Sequence, residues 1–346
     1  NLVLRRIDVK WDRQWMPHKE TGTFDPSHIH LQDIAMTARL KVLKTDSVNL
    51  SLKRLSFSEA SGFELSNVLG EFSAGNNGAK LENFNIELPH TTLSIPSFMA
   101  TWPDTPKGTD MKKWLGSTSW YAETAIRLTP SDFKAFAPRL ANAHTPIELT
   151  SKLYGLEECI NVPQLNLSNN GSLSLSARLF VNDYLNNPDY IVEINRLQTN
   201  ARLQQYLTQE LNGQGKEISP LLTRMDTIDL SGRLNISDHH QYGTINIDNR
   251  HAEVEITAEA YDWNRLNVSV SSPKIQLDNL LSDNGKHILN RVALKVEASG
   301  LIKDNNGNPS IDIRGILPEL VFDGKEYLDT EIRAQIKDKK ISVNAG

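Results

Sequence analysis

The sequence predicts a mainly β protein: an elongated, curved antiparallel sheet with a few short helices. Three observations carry this expectation. Apolar and polar residues alternate at period two along most of the chain, turn-forming clusters separate the alternating runs, and apolar stripes at helical spacing are few. Alternation of this kind marks sheets with one wet face, because successive side chains of a strand point to opposite sides.

The first well-defined run has Val48, Leu50 and Leu52 alternating with polar residues. The pattern slips at Lys53–Arg54, resumes at Leu55 and Phe57, and stops in Ser58-Glu59-Ala60-Ser61-Gly62, after which Phe63 and Leu65 restart it. A strand that slips, stops and restarts implies bulges and small-residue turns, the devices by which a long sheet bends. Further runs follow at Ile86/Leu88, Leu93/Ile95, Leu173/Leu175/Ala177/Leu179, Ile228/Leu230 and Leu234/Ile236. The later ones are Val254/Ile256/Ala258/Ala260, Leu266/Val268/Val270, Val292/Leu294/Val296 and Ile332/Ala334/Ile336. Asn76-Asn77-Gly78, Asn169-Asn170-Gly171, Asp304-Asn305-Asn306-Gly307 and Asp323-Gly324 have the composition of hairpin turns.

Helices are expected at Ser131–Ala137, where Thr129 can cap, Pro130 fits the first turn and Pro138 ends it, and at Ala201–Leu211, stopped by Asn212-Gly213. Ser219 opens a third short candidate and Leu277 a single turn. A strand runs into a helical element at Ser131, Thr199 and Asp278, and a later strand carries a glycine among apolar residues at Gly155, Gly232 and Gly300. This reads as a divergent repeat of about seventy residues. With the loop from Trp102 as boundary, residues 1–102 form a strand-rich first part and residues 109–346 the repeat units of a continuous β groove.

Composition narrows the function classes. The 346 residues carry a net charge of −5 with Lys and Arg dispersed, which argues against nucleic acid. No run approaches the ~20 apolar residues of a transmembrane helix. The single cysteine, Cys159, rules out an internal disulfide and reads as a small buried or half-buried hydrophobe. Nothing resembles a nucleotide loop, a nucleophile elbow or a zincin helix. His28-Ile29-His30, with His18 nearby, is the nearest approach to a metal site, but two histidines lack a third ligand; His239-His240 reads as a hairpin turn. Glu157-Glu158, read as part of a strand, would face opposite ways, and Glu253/Glu255/Glu259 fall on the wet face opposite Val254 and Ile256, so a solvated charged face is preferred to catalytic carboxylates. The six tryptophans, Trp11, Trp15, Trp102, Trp114, Trp120 and Trp263, are scattered, so edge packing is preferred to a sugar platform. Asn170-Gly171-Ser172 matches a glycosylation triplet of the kind that Asn- and Ser-rich hairpins produce by chance. No enzyme activity, metal or cofactor is expected.

The segment from Val48 to Ile95 resembles the amino-terminal region of TamB-like proteins, the Bacteroidota-type members of the AsmA/TamB superfamily. The likeness rests on the run from Leu55 to Leu65, on Ala79-Lys80-Leu81 and on Leu88-Pro89 through Leu93; Ile126–Leu140 and Gly315–Gly346 look like the family's recurring segments. Lys325-Glu326-Tyr327 departs from the aromatic turn usual there. The resemblance implies a taco-shaped β groove in the periplasm, anchored to the inner membrane by segments missing from this chain. It implies phospholipid transport between membranes, or outer-membrane protein assembly with a TamA-like barrel partner. It carries no catalytic residues.

A sheet with one apolar face either closes as a core or stays open as a trough. If a trough, it is lined by Val254, Ile256, Leu266, Val268, Val270, Leu294 and Val296, meeting phospholipid acyl chains. The rivals are a β-sandwich adhesin or glycan-binding module, and a scaffold that pairs its sheet edge with a nascent outer-membrane strand.

Overall fold

A computed structural model describes residues 1–103, 111–200, 227–276, 289–304, 307–337 and 340–346. The helices expected at Ala201–Leu211, from Ser219 and at Leu277 fall outside the described residues. The protein is mainly β. It divides into two compact units, Asn1–Asn170 and Gly171–Gly346.

In the first unit the strands are β1 (Leu2–Asp12), β2 (His28–Leu43), β3 (Val48–Glu59), β4 (Glu64–Leu65), β5 (Asn67–Gly75), β6 (Gly78–Glu87) and β7 (Thr92–Thr101). A one-turn helix, α1 (Met111–Gly116), precedes β8 (Ser119–Leu128), β9 (Ile147–Leu156) and β10 (Cys159–Asn169). Each strand pairs antiparallel with its neighbour in sequence, except that β3 takes both β4 and β5. The slip at Lys53 is a bulge: Arg54 faces Thr37, but Leu52 faces Ala38. Arg6, Asp33 and Asn83, at left-handed φ of 52°, 53° and 51°, sit at or beside other register shifts. An extra residue on one strand bends and twists the sheet locally.

The run from Leu55 to Leu65 builds the core of this unit. Leu65, Val68 and Leu88 form a buried cluster, against which Leu52, Leu55, Phe57, Phe63, Phe84, Ile86 and Phe133 pack. Phe133 comes from the segment expected as a helix. That segment is instead two separate 3-10 turns, Pro130–Phe133 and Pro138–Leu140, with Ala137 extended between them. Pro138 cannot donate the hydrogen bond that would continue a helix, and Phe133 and Phe136 are drawn to separate partners: Phe136 meets Phe24 and Phe63 at ring distances of 4.9 and 5.1 Å. Ala135 is fully buried, and its carbonyl accepts from the Phe24 N–H at 2.7 Å. Thr129 does not cap its turn; its hydroxyl donates to the His90 carbonyl at 2.9 Å.

Glu59 ties the turn together. Its carboxylate accepts from the His30 N–H at 3.1 Å, the Ser61 N–H at 2.8 Å and the Ser61 hydroxyl. Burial pushes its carboxyl up, but the bonds from Ser61, His30 and Ala60 together outweigh that and hold it below the usual carboxylate range.

The Trp102 connection, expected as a domain boundary, lies inside the first unit. The strands before and after it pair with each other, Leu93 opposite Ile126 and Ala100 opposite Trp120. Trp102 packs on Trp114 at 5.5 Å and donates its indole N–H to the Asn76 carbonyl at 2.6 Å. A change of composition in a loop does not divide units when its flanking strands are adjacent in a sheet.

The second unit comprises β11 (Leu173–Asn182), β12 (Asp189–Asn200), β13 (Thr227–Ile236), β14 (His240–Asp248) and β15 (Ala252–Tyr261). It continues with β16 (Arg265–Gln276), β17 (Leu289–Leu301), β18 (Ser310–Phe322), β19 (Lys325–Lys337) and β20 (Lys340–Ala345). All pair antiparallel in sequence order. The β18–β19 turn is Asp323-Gly324, at φ 49° and 73°, as its composition predicts. Glu157-Glu158 differs from expectation. Both residues sit at positive φ, 49° and 66°, and form the two-residue turn between β9 and β10 rather than part of a strand. With no glycine there, composition gave no sign of a turn.

Candidate apolar face

The pairings of the second unit place the seven trough candidates on one face. Ile256, Val270 and Val296 stand directly opposite one another across β15, β16 and β17. The row extends through Ile245, Gly232, Ile194 and Ala177 on one side and Gly315 and Ile332 on the other. Val268 lies between Ala258 and Ala298 in a second row that runs from Leu179 to Val343. Leu266 lies between Ala260 and Gly300 in a third. Val254 faces Ile247, and Leu294 faces Ser272. These three rows contain no Asp, Glu, Lys or Arg. The third contains Gln241, whose side-chain amide donates to the Ser237 and Asp238 carbonyls at 2.5 and 3.3 Å.

The opposite face is wet. Glu253 and Glu255 are exposed, and Glu259 accepts from His240 at 2.8 Å and the Tyr261 hydroxyl at 2.7 Å. Arg233 meets Glu193 at 3.2 Å, and Arg196 meets Asp229 at 2.6 Å. Such exposed pairs contribute about 0–1 kcal/mol each, so they mark a solvated surface rather than hold the sheet.

All seven candidates are partly exposed. On β20, Ile341 and Val343 of the same face are 70% and 68% exposed. Among the described residues no large side chain is fully buried. A sealed core of this area would contain several, since core Leu, Ile and Val each touch six or more neighbours.

Glycines in the strands admit close approach. A Cβ on Gly155 would lie 1.9 Å from the Trp120 indole nitrogen, so the bare backbone of β9 is the surface on which that ring lies. Gly300, at φ 155°, would place a Cβ 2.1 Å from the Ser310 carbonyl oxygen. The strand glycines noticed in the sequence thus have a physical role.

The first unit repeats the pattern. Leu50, Phe72, Leu81, Phe98, Ala122 and Leu153 form one row from β3 to β9. Beside this row, Leu52, Phe84, Ile86 and Phe133 all pack against the buried Leu65–Val68–Leu88 cluster.

The other residues singled out in the sequence are dispersed. Cys159 is partly buried at the start of β10. His239 pairs with Asp262 at 2.7 Å; that hydrogen bond and charge raise its pKa. Trp11, Trp15 and Trp263 are 56%, 80% and 60% exposed. His28 and His30 share a face of β2 but not a site. The His30 Nδ1 lies 3.4 Å from the Gln32 amide. His28 instead meets Asp12 at 2.6 Å and stacks on His18 at 3.7 Å. Asp12, at the end of β1, was not legible as its partner, because only the strand register brings it there.

No family model, curated protein or solved structure matches the chain.

Proposed function

We propose that the three charge-free rows of the second unit bind phospholipid acyl chains and serve as a conduit for them, as the resemblance to TamB-like proteins implies. The observation that carries the reading is the alignment of three apolar rows over successive strands with side chains left partly exposed. Ten strands about 4.8 Å apart give a path of roughly 43 Å. Half a hydrocarbon core is about 15 Å, so the path is near three acyl-chain lengths. Drawing two acyl chains, about thirty CH₂ groups, into water costs up to roughly 24 kcal/mol at ~0.8 each. An uninterrupted apolar strip removes most of that barrier.

On this reading the chain is the periplasmic part of an inner-membrane-anchored protein, with phospholipid as cargo and a TamA-like outer-membrane barrel as the partner to test. No enzyme activity is assigned to it. The sandwich adhesin is less well supported, because a sandwich buries its inner faces and no large described side chain is fully buried.

The test is mass spectrometry of organic extracts from protein purified from an envelope-containing host, beside binding of a fluorescent phosphatidylethanolamine. Stoichiometric phospholipid supports the reading. Lipid-free protein that also fails to take up the probe overturns it.

A further inference from the structure

We propose that Asp12, His18 and His28 bind a divalent transition-metal ion of the zinc class, fastening the segment between β1 and β2 to the end of that strand pair. The register places Asp12 opposite His28 at the last rung of the pair. The connecting segment returns the His18 ring to 3.7 Å from that of His28. One ligand atom from each of the three lies within 4.8 Å of the others.

The hydrogen bonding of His28 is the strongest sign. Its Nε2 lies 3.0 Å from the Met16 carbonyl oxygen, which only accepts, so Nε2 carries the proton. Its Nδ1 lies 2.6 Å from an Asp12 carboxylate oxygen, a spacing that a shared proton bridges in the metal-free protein. A metal ion that displaces that proton finds the ring nitrogen and the carboxylate already aimed at one another, as two ligands of one site. The His28 side chain is only 7% exposed, so the ring does not turn to water instead. Metal-ligating histidines ordinarily donate their other ring N–H to a carbonyl or carboxylate, as His28 does to Met16.

Two imidazoles and a carboxylate suit zinc, with water in the fourth position. Bonds of about 2.0–2.1 Å in a tetrahedron put ligand atoms about 3.3 Å apart. Asp12 and His28 must therefore part slightly, and the His18 ring must turn out of its stack on His28 so that a ring nitrogen points at the ion. His18 is exposed and lies between anchored points, since the Met16 N–H donates to the Arg13 carbonyl at 2.9 Å and the Lys19 N–H to Asp25 at 3.0 Å. The sequence pointed to His28 with His30, and the structure replaces His30 with Asp12 and His18.

The experiment is calorimetric titration of untagged, chelator-treated full chain with zinc chloride, and Co²⁺ substitution followed by visible absorption. One ion per chain is expected, with a tetrahedral Co²⁺ spectrum. His18→Ala and Asp12→Asn should each weaken binding at least tenfold. His18 is exposed, so its variant is expected to fold, and circular dichroism checks that it does. No uptake at stoichiometric metal means that a proton bridges the pair, which overturns the proposal. Uptake unchanged in both variants overturns it as well, because the ion then binds elsewhere. Lipid binding does not enter either outcome.

Discussion

Replacing Val268 by Asp separates an open apolar face from a sealed core. Val268 sits between Ala258 and Ala298, with Leu266 and Val270 on its own strand, and is partly exposed. Burying a valine fully is worth about 1.5 kcal/mol or more, and the lower strand propensity of Asp adds up to ~1. For a partly exposed position the sum is about 2 kcal/mol, because a carboxylate at an open face keeps much of its hydration. At about 2–4 °C per kcal/mol for a domain of this size, melting should fall by roughly 4–8 °C. In a sealed core the same carboxylate would be buried and unpaired, costing several kcal/mol more. That is comparable to the entire stability of a typical domain. The assay pairs thermal unfolding with fluorescent-phospholipid binding for Val268→Asp and Leu294→Asp, with Thr257→Asp on the opposite face as control. The expected result is a modest melting shift in all three, with lipid binding reduced at least tenfold only in the first two. Collapse of the melt in both Val268→Asp and Leu294→Asp would make these strands an ordinary core. A near-normal melt with undiminished lipid binding would remove the face from the transport reading.

Other substitutions test the local arguments. Glu59→Gln should cost about 1–3 kcal/mol in urea unfolding at neutral pH, through lost charge-assisted bonds. Because the folded carboxyl lies below its ordinary value of 4.5, its stabilisation is present above that value and disappears as pH falls through the folded one. The difference between wild type and variant should therefore shrink on acidification, and an unchanged gap at pH 2 would refute this. Gly155→Ala should displace the Trp120 indole, giving a shift in tryptophan emission and a loss of about 1–3 kcal/mol. Gly300→Ala should destabilise more than Gly62→Ala. Both have positive φ, but nothing lies within 4 Å of a Cβ at Gly62, whereas one at Gly300 meets the Ser310 carbonyl at 2.1 Å. Equal melting of the two would mean that backbone strain alone sets the cost.

Period-two alternation determines most of the strand faces, because a strand side chain has only two sides to choose from. Val254, Ile256, Leu266, Val268, Val270, Leu294 and Val296 could thus be assigned to one side of their strands by counting. The bulge at Lys53 was legible as well, since an extra residue must break the alternation. Local patterns say nothing about which residues stand opposite one another, and that decided the rest. The rows across β11–β20 follow from register. So does the meeting of Asp12 with His28, sixteen residues apart. The turn at Glu157-Glu158 was not legible, because acidic residues give a positive-φ turn no signature. The Ser131 helix became two 3-10 turns because long-range partners for Phe133 and Phe136 outweighed a marginal local preference. What the sequence determined by itself was which side of each strand is apolar; neighbouring strands, through hydrogen-bond register, decided that these sides join into an uninterrupted face and that most of its large side chains keep contact with water.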